Sequence, residues 1–273
     1  MKKIFEYIGI LSLVCFSFFL TDKTVSVVQE IDDIMIQIKN NQHKYHQNSM
    51  NASVDKQYIV PGLPEKSVDI EKSYTEMKKV GVYDTNHFVY KVTKPKENLD
   101  NYLNKYIVSG NPQKRMVSII LIIKDKSLSS VLNLLGDKRV AFVLDNDTIS
   151  TEIKNIELAL ERGNEFLIGD TNIQQFLSTK QQLDTLKNPT MICYNEKEDK
   201  KFLSLCQKNK YYSVTSTTIT KTPLSQTKDL LRSGSFLVFE VNQQFLKEFP
   251  NILSYIESKG YVIAPLSFHI KED

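Results

Sequence analysis

The stretch Val140–Asp170, VAFVLDNDTISTEIKNIELALERGNEFLIGD, carries the pattern that decides the fold. Its compact apolar run Val140–Leu144 is typical of a buried strand. Apolar residues then recur at helical spacing as far as Gly163, a residue typical of a helix C-terminus. A second apolar run, Phe166–Ile168, follows at once. Strand, helix and strand with tight connections form a βαβ unit, whose two strands are parallel. One unit cannot bury both of its faces, so the pattern predicts further units on either side.

The flanking sequence supplies these further units. Met116–Ile123, MVSIILII, is nearly continuous and β-branched, which is typical of a strand buried on both faces of a parallel sheet. Strand and helix patterns alternate from there to Leu266, which predicts seven strands and six helices. The predicted strands are 116–123, 140–144, 166–168, 191–194, 211–215, 236–241 and 261–266. Periodicity leaves two α/β architectures open, a doubly wound open sheet and a closed barrel.

Composition and charge argue against two classes of partner. The chain has 35 basic and 32 acidic residues, and its formal charge of +3 is too small and too evenly spread for a nucleic-acid surface. No G-x-G-x-x-G and no G-x-x-x-x-G-K-[ST] follows any predicted strand, so the usual phosphate loop of a nucleotide site is missing. We therefore expect neither nucleic acid nor nucleotide as a partner.

The N-terminal stretch Ile4–Leu20 is apolar apart from one glutamate and two serines. Its length lies at the short end of the roughly 17–25 residues that form a membrane-spanning helix. Two lysines precede it, which favours a cytoplasmic N-terminus and export of the rest. A cleaved signal peptide is the alternative, but no Ala-x-Ala-like site follows Leu20. We therefore predict a single-pass cell-membrane anchor, with the bulk of the chain extracytoplasmic.

The chain is predicted to divide into four segments. These are a membrane anchor (1–22), a helical stalk and polar linker (23–56), an N-terminal extension (57–115) and the repeating core (116–273). Apolar residues at helical spacing from Val27 to Ile38 predict the stalk, which we expect to lie on the membrane or on the domain. In the extension, Asp69 is a suitable helix N-cap and Gly81 a suitable C-terminus. The extension is too short to fold alone, so we expect it to wrap the core.

In either architecture the reactive face lies at the C-terminal ends of the strands. The candidate mouth residues are Asp125, Asp145, Asp147, Asp170, Asn172 and Glu240. His269, which follows the last predicted strand, is assigned to the same face. The carboxylates at positions 145, 147, 170 and 240 are the ligand type that a hard cation prefers. We favour the alternative that Asp145 and Asp147 serve the turn and cap the following helix, and we predict no metal ligand.

The core cysteines, Cys193 and Cys206, would face an oxidising compartment, where disulfides form. About seven helical residues at 1.5 Å each should carry Cys206 well down the helix after the strand of Cys193. Across a sheet-to-helix gap of about 10 Å, the Cα separation would exceed the roughly 7 Å limit for a bridge. We therefore predict two buried thiols. No histidine lies within the repeating strands and helices of the core, since His269 follows the last predicted strand, and this argues against a Ser-His-Asp or Cys-His nucleophile.

Several segments resemble the polysaccharide deacetylase (NodB-homology, carbohydrate esterase) family. VAFVLDN is similar to its second strand, and IELALERGNEFLIGD to its helix ending in Gly-His-Glu. GSFLVFE resembles the penultimate strand, and ILSYIESKGYVIAPLS the final helix, Lys-Gly-Tyr and last strand. IVPGL, VDIEKSYTEMKKVG and YIVSGNP resemble the extension of a divergent membrane-anchored branch. The resemblance covers roughly the last three-quarters of the chain. It implies an irregular seven-stranded (β/α) barrel, with the N-terminal transmembrane helix and a wrapping extension.

The catalytic motifs of that family are not matched here. The two positions of its Asp-Asp pair correspond to Ile122 and Ile123, and its His-x-x-x-His pair falls near residues 169–174, where no histidine stands. Glu240 lies about where the last strand should end in histidine. A metal-activated water needs a ligand shell that fixes its geometry. We therefore predict a degenerate deacetylase-like protein with no catalytic residue and no cofactor, which binds cell-envelope glycan or a protein partner.

The alternative is a working metal-dependent N-deacetylase of cell-wall or surface polysaccharide. It would need a divalent metal in an unusual site built from Asp125, Asp170 or Glu240. Only the family resemblance and the acidic mouth support it, and likeness of fold is a weak warrant for activity.

Overall fold

The structure is a computed structural model that describes Ser17 and residues 32–124, 127–169 and 172–273. It divides into two compact units. The first comprises Met1–Ser49 with Pro64–Thr93, and the second comprises Met50–Leu63 with Lys94–Asp273. The predicted 57–115 extension is thus shared between the units. None of the described helices is long and apolar enough to cross a membrane. The predicted anchor lies outside the described residues, apart from Ser17.

The secondary structure is as follows. In chain order the strands are β1 (Ser53–Asp55), β2 (Tyr58–Val60), β3 (Glu65–Val68), β4 (Tyr90–Thr93), β5 (Tyr106–Ile107), β6 (Met116–Ile123), β7 (Ala141–Leu144), β8 (Glu165–Gly169), β9 (Ile192–Tyr194), β10 (Tyr212–Val214), β11 (Thr218–Ile219), β12 (Phe236–Glu240) and β13 (Val262–Ile263). The helices are α1 (Asp33–Asn41), α2 (Ile70–Val80), α3 (Leu128–Leu135), α4 (Asn146–Thr151), α5 (Ile153–Glu161), α6 (Ile173–Thr185), α7 (Lys200–Lys208), α8 (Pro223–Leu230), α9 (Gln243–Ser258) and α10 (Leu266–Ile270). Short 3₁₀ turns span Gln42–Tyr45, Thr85–His87 and Leu99–Tyr102.

The first unit packs α1 and α2 with the antiparallel pair β3–β4. Asp69 caps α2 through the Lys72 N–H, and Gly81 ends that helix with a φ of 83°. This αL conformation suits glycine because it has no Cβ. The apolar face of α1, which includes Ile38, is buried in the small core of this unit together with Met77 of α2.

One sheet organises the second unit. Its strand order is β1-β2-β5-β10-β9-β8-β7-β6-β12-β11, and β13 pairs with the start of β6. The pairings from β2 through to β11 are parallel. In the stretch quoted first, Phe142 of β7 pairs with Phe166 of β8, which confirms the predicted βαβ unit.

The sheet curls around an interior. Tyr194 on β9 donates its hydroxyl proton to the Ser216 carbonyl at 3.0 Å and lies 2.9 Å from Thr218 Oγ1 on β11. In the sheet order, β8, β7, β6 and β12 separate β9 from β11, so this contact crosses the interior. The result is a curled α/β half-barrel, which fits the predicted deacetylase-type barrel. In the described part of the chain, β1 and β11 are the two ends of this sheet.

Alternation along β6 explains why that strand is apolar throughout. Its residues 117, 119, 121 and 123 are buried against the surrounding helices. On the other face, Ile120 and Ile122 join Tyr194, Val214 and Val238 in a second cluster inside the barrel. A strand with both faces buried needs apolar residues at every position. Each fully buried isoleucine contributes about 1.5–3 kcal/mol to folding.

The end of the core differs from the prediction. The predicted last strand, 261–266, is only Val262–Ile263, and Leu266 already belongs to α10 because the chain turns at Pro265. Since Val262 pairs with Met116, the first residue of β6, the chain returns to the N-terminal ends of the strands. The assignment of His269 to the mouth is therefore wrong.

The two cysteines form a disulfide, so the prediction of two free thiols is wrong. Cys193 and Cys206 have a Cα–Cα distance of 6.4 Å, within the range for a bridge. The predicted sheet-to-helix gap was too wide. Asn195 closes a tight turn by accepting from the Asp199 N–H at 2.9 Å and donating to the Asp199 carbonyl at 3.0 Å. The turn returns α7 directly over β9, with both cysteines fully buried.

Candidate functional site

A cavity of about 580 Å³ opens at the C-terminal ends of the central strands. Its floor is formed by Ile122, Val143, Gly169 and Tyr194, which lie in the last two positions of β6, β7, β8 and β9. Polar side chains form the rim; among them are Lys124, Asp145, Asn146, Gln175, Thr179, Glu196 and Lys197. We call this cavity the mouth. It lies where (β/α) folds carry their reactive groups.

The floor is mostly aliphatic and closely packed. Ile122 pairs with Val143 on one side and with Glu240 on the other. A Cβ at Gly169 would lie 2.8 Å from Val143 Cγ1, so only glycine fits here without a shift of its neighbour. Burial, reinforced by the negative charge of Glu196, raises the pKa of Tyr194 to about 12. The Tyr194 hydroxyl therefore remains a protonated donor.

An ion pair spans one side of the mouth. Lys124 Nζ lies 3.0 Å from Glu240 Oε1, with the two side chains 67% and 34% exposed. Such an exposed pair contributes little stability. It does, however, bring a positive charge next to Glu240. Glu240 is the predicted mouth carboxylate near the position where the family's last strand ends in histidine.

The other predicted mouth residues serve mainly as helix caps where the structure describes them. Asp145 lines the mouth and caps α4, accepting from the Thr148 N–H at 2.7 Å. Asn172 caps α6 by accepting from the Gln175 N–H at 3.0 Å. Asp147 is exposed in the first turn of α4, and its backbone carbonyl accepts from Thr151. Asp125 and Asp170 lie outside the described residues.

Among the described residues, the side chains of the mouth do not fit the divalent metal that the deacetylase resemblance implies. The positions of the family's two carboxylates hold Ile122 and Ile123; both residues border the mouth, and Ile123 is only 1% exposed and packs in the core. Glu240 is already paired with Lys124. Within residues 32–124, 127–169 and 172–273, no three His, Cys, Asp or Glu side chains are placed to hold a metal ion.

A buried polar cluster at the opposite end of the barrel was missed by sequence reasoning. Ser118 Oγ donates to the Ala264 carbonyl at 2.9 Å and lies 2.9 Å from His269 Nδ1. Burial, together with the nearby charge of Lys114, lowers the pKa of His269 to about 4. The ring is thus neutral, and Nε2 lies against Gly110, where a Cβ would come within 2.1 Å. The serine proton is engaged and the site is closed, so this pair is structural.

Glu165 belongs to the same end of the barrel. Its carboxylate accepts hydrogen bonds from the N–H and the hydroxyl of Ser267 in α10. Burial raises the pKa of Glu165 above its usual range. These contacts hold α10 at the end of the barrel opposite the mouth. They depend on the turn at Pro265, which the local sequence pattern did not predict.

Comparison with known proteins supports the fold. No family model matches the sequence. The uncharacterized protein YlxY of Bacillus subtilis (strain 168) is 26% identical over 147 residues, which are 52% of this chain and 46% of that protein. The match therefore spans less than half of the curated relative.

Solved structures resemble this chain over more of its length. Wild-type BA3943 of Bacillus anthracis, a CE4 family pseudoenzyme, has a TM-score of 0.65 at 18% identity, covering 88% of this chain and 96% of that one. A BA3943 mutant with restored enzymatic activity has a TM-score of 0.67 at 17% identity, covering 88% and 99%. Bacillus subtilis PdaA, a family 4 carbohydrate esterase, has a TM-score of 0.51 at 11% identity, covering 63% and 86%. The chain thus has the fold of the CE4 polysaccharide deacetylases, as the sequence resemblance implies.

Proposed function

We propose that this protein is a non-hydrolytic relative of the CE4 deacetylases that binds a cell-envelope glycan in its mouth. The observation that carries the proposal is the aliphatic floor formed by Ile122, Val143 and Gly169 at the place where an active site would need metal ligands. A buried aliphatic floor cannot supply a first coordination shell, because hard cations and zinc need O, N or S donors.

The same surfaces suit a carbohydrate. A sugar ring has apolar C–H faces and a polar edge of hydroxyl groups. The mouth has an apolar floor and a polar rim, and its volume of about 580 Å³ lies within the range of small-ligand pockets. The Asn146 amide and the Lys197 ammonium group on the rim are hydrogen-bonding groups around that floor.

We further propose that the second unit functions outside the cytoplasm. The Cys193–Cys206 bridge supports this location, because disulfides persist in oxidising compartments. The apolar stretch Ile4–Leu20 is the proposed cell-membrane anchor.

The test is binding without hydrolysis. The full purified chain, titrated with partially acetylated chitotetraose, should show amide NMR shifts confined to the mouth and its adjoining walls, and no acetate release. Gly169→Ala should weaken binding, because its Cβ crowds Val143 Cγ1. Adding Val143→Ala removes that atom and should restore affinity. Wild-type affinity in the single variant, or shifts centred on another surface, would point to a different site or to a protein partner.

The second candidate function is a metal-dependent N-deacetylase. It is favoured by one finding, that a mutant of the CE4 pseudoenzyme BA3943 has restored enzymatic activity, so the pseudoenzyme fold is compatible with catalysis. Here the site would have to draw on Asp125, Asp170 or Glu240. Acetate release from the same oligosaccharide with added divalent metal, abolished by a chelator, would establish this function and rule out the first.

A further inference from the structure

A second cavity of about 550 Å³ adjoins the mouth within the same unit. Glu196 lines both cavities, so the two share a wall. The second cavity is polar, unlike the floor of the mouth. Tyr58, Glu198 and Thr215 are among the residues that line it.

The loop that carries Glu196 is held in place from several sides. Asn195 is fully buried and closes the turn onto Asp199, as described above. Glu198 Oε2 accepts from the Tyr58 hydroxyl at 2.9 Å and from Gln57 Nε2 at 3.0 Å. The Cys193–Cys206 disulfide brackets the loop. The position of Glu196 between the cavities is therefore set before any ligand arrives, which lowers the entropic cost of binding.

Thr215 points to a polar ligand in the second cavity. Its side chain lines the cavity although the residue is only 3% exposed. Its backbone N–H donates to the Ile107 carbonyl at 3.0 Å, but its hydroxyl has no hydrogen-bond partner in the part of the chain that the structure describes. The Thr215 hydroxyl oxygen is not one of the fully buried atoms that lack a partner, so it stays accessible from the cavity that the residue lines. A hydroxyl or amine of a bound molecule would satisfy it.

The negative charge of the wall shared by the two cavities indicates which class of ligand would bind there. The Glu196 carboxylate is exposed and takes part in no ion pair or hydrogen bond among the described residues. It faces the mouth closely enough for its charge to act on the Tyr194 hydroxyl. Glu198 adds a second carboxylate to the same cavity, with Lys197 between them in sequence. A ligand with a cationic group and several hydroxyls complements this wall, and an ammonium–carboxylate hydrogen bond is stronger than a neutral one.

We propose that the two cavities form one groove for consecutive sugars of a de-N-acetylated glycan, with a sugar ammonium group on Glu196 and a sugar hydroxyl on Thr215. The proposal rests on the proposed glycan-binding function and names its ligand. The apolar floor of the mouth takes a ring face, while the hydroxyl-rich second cavity takes the neighbouring amino sugar. The protein would thus bind the product, rather than the substrate, of an N-deacetylation reaction.

Calorimetric titration of the full chain with fully acetylated and fully deacetylated chitotetraose tests the ligand class. We expect the deacetylated oligomer to bind about tenfold more tightly or better, the scale of one charge-assisted hydrogen bond. Glu196→Gln should abolish this preference. Glu157→Gln, an exposed carboxylate on α5, is the matched control and should leave it unchanged.

Thr215→Val tests the hydroxyl separately from the fold. No hydrogen bond within the described chain is lost, so its melting temperature should stay at the wild-type value while affinity for both oligomers falls severalfold. Wild-type affinity in this variant would overturn the role of Thr215.

The remaining outcomes separate this inference from the proposed function. Equal affinity for both oligomers, unaffected by Glu196→Gln, would overturn the amino-sugar assignment and leave glycan binding in place. Binding of tetralysine as tightly as the deacetylated oligomer would overturn it too, because the wall would then be a general cation surface. Failure to bind any oligomer would refute the proposed function itself.

Discussion

Placing the deacetylase carboxylates at positions 122 and 123 should affect stability very unequally. Both residues are isoleucines on β6, but they face opposite sides of the sheet. Ile123 is 1% exposed and packs in the cluster that contains Leu128 and Val131 of α3. Ile122 is half-buried and lines the mouth. Both positions hold the same residue in the same strand, but their side chains have different surroundings in the structure.

The expected magnitudes follow from these surroundings. Ile123→Asp removes aliphatic packing worth about 2–5 kcal/mol. Burial raises the pKa of the new carboxyl, and its protonated form still lacks a partner, which adds about 1–3 kcal/mol. The sum, about 3–8 kcal/mol, is comparable with the 5–15 kcal/mol that stabilise a typical protein. Ile122→Asp places its carboxylate near solvent and Lys124, and should cost about 1 kcal/mol.

Urea midpoints at neutral pH measure the difference. Ile122→Val and Ile123→Val form a milder pair, with an expected cost of about 0.5–1.5 kcal/mol at the buried site. This pair keeps the comparison measurable if Ile123→Asp does not fold. Neither aspartate variant should release acetate, since the histidine ligands are still missing. Equal midpoints for the two aspartate variants, or a larger loss at Ile122, would refute the assignment of their faces.

Three further substitutions test the disulfide, the buried histidine and the helix cap. Replacing Cys193 and Cys206 by serine should lower the free energy of unfolding by about 3 kcal/mol, because the bridge spans a sequence separation of 13. Reductant should then shift the melting temperature of the wild type only. With its pKa lowered to about 4, His269 makes a stabilising contribution that is complete above pH 6.5, its ordinary pKa. That contribution, at most about 3 kcal/mol, is lost as pH falls from 6.5 toward 4. The urea midpoint of the wild type should therefore fall over this pH range, whereas that of His269→Asn should not show this fall. Parallel pH profiles for the two proteins would contradict the assignment. Asp145→Ala should cost about 1 kcal/mol through loss of the α4 cap, whereas Asp147→Ala should cost at most about 0.5 kcal/mol; equal denaturation midpoints would argue against the cap.

The repeating elements were predictable because each is determined locally. β6 has the predicted bounds, Met116–Ile123, and a helix, α3, follows it as the alternating pattern predicts. A continuous β-branched run fits a doubly buried strand, and the apolar spacing of α3 fits a helix with one face covered. Asp69 and Gly81 ended α2 as expected because caps act within one turn.

Features that depend on distant segments were not predictable. The strand β11, Thr218–Ile219, is two residues long and exists only because it pairs with β12. The turn at Pro265 sends His269 to the far end of the barrel, where its partner is Ser118. The disulfide depends on how closely α7 packs on β9, a distance that spacing along the sequence does not give.

The sequence predicted which catalytic residues the candidate site lacks better than it predicted which residues line it. The aliphatic residue at position 122 follows from the resemblance alone, and the structure places it on the mouth floor. Thr215 and Tyr58 carry no signal of their own, because they meet Glu196 only through a parallel sheet that joins β2, β5 and β10. A buried threonine also looks like any other strand residue until its missing partner is noticed.

The long-range hydrogen bonds on either side of α10 have a consequence for synthesis of the chain. Ser118 donates to a carbonyl 146 residues further along the chain, and Glu272 accepts N–H bonds from Gly62 and Leu99, which precede it by 210 and 173 residues. At about 5–20 residues per second, roughly 7–30 s separate the synthesis of Ser118 from that of Ala264, and roughly 10–40 s separate the synthesis of Gly62 from that of Glu272. During that interval the hydrogen bonds of Ser118, Gly62 and Leu99 to residues 264 and 272 cannot form. Contacts so distant in sequence slow folding and expose aliphatic surface while they are awaited. We expect the newly made chain to depend on a holding chaperone until residues 264–272 have emerged.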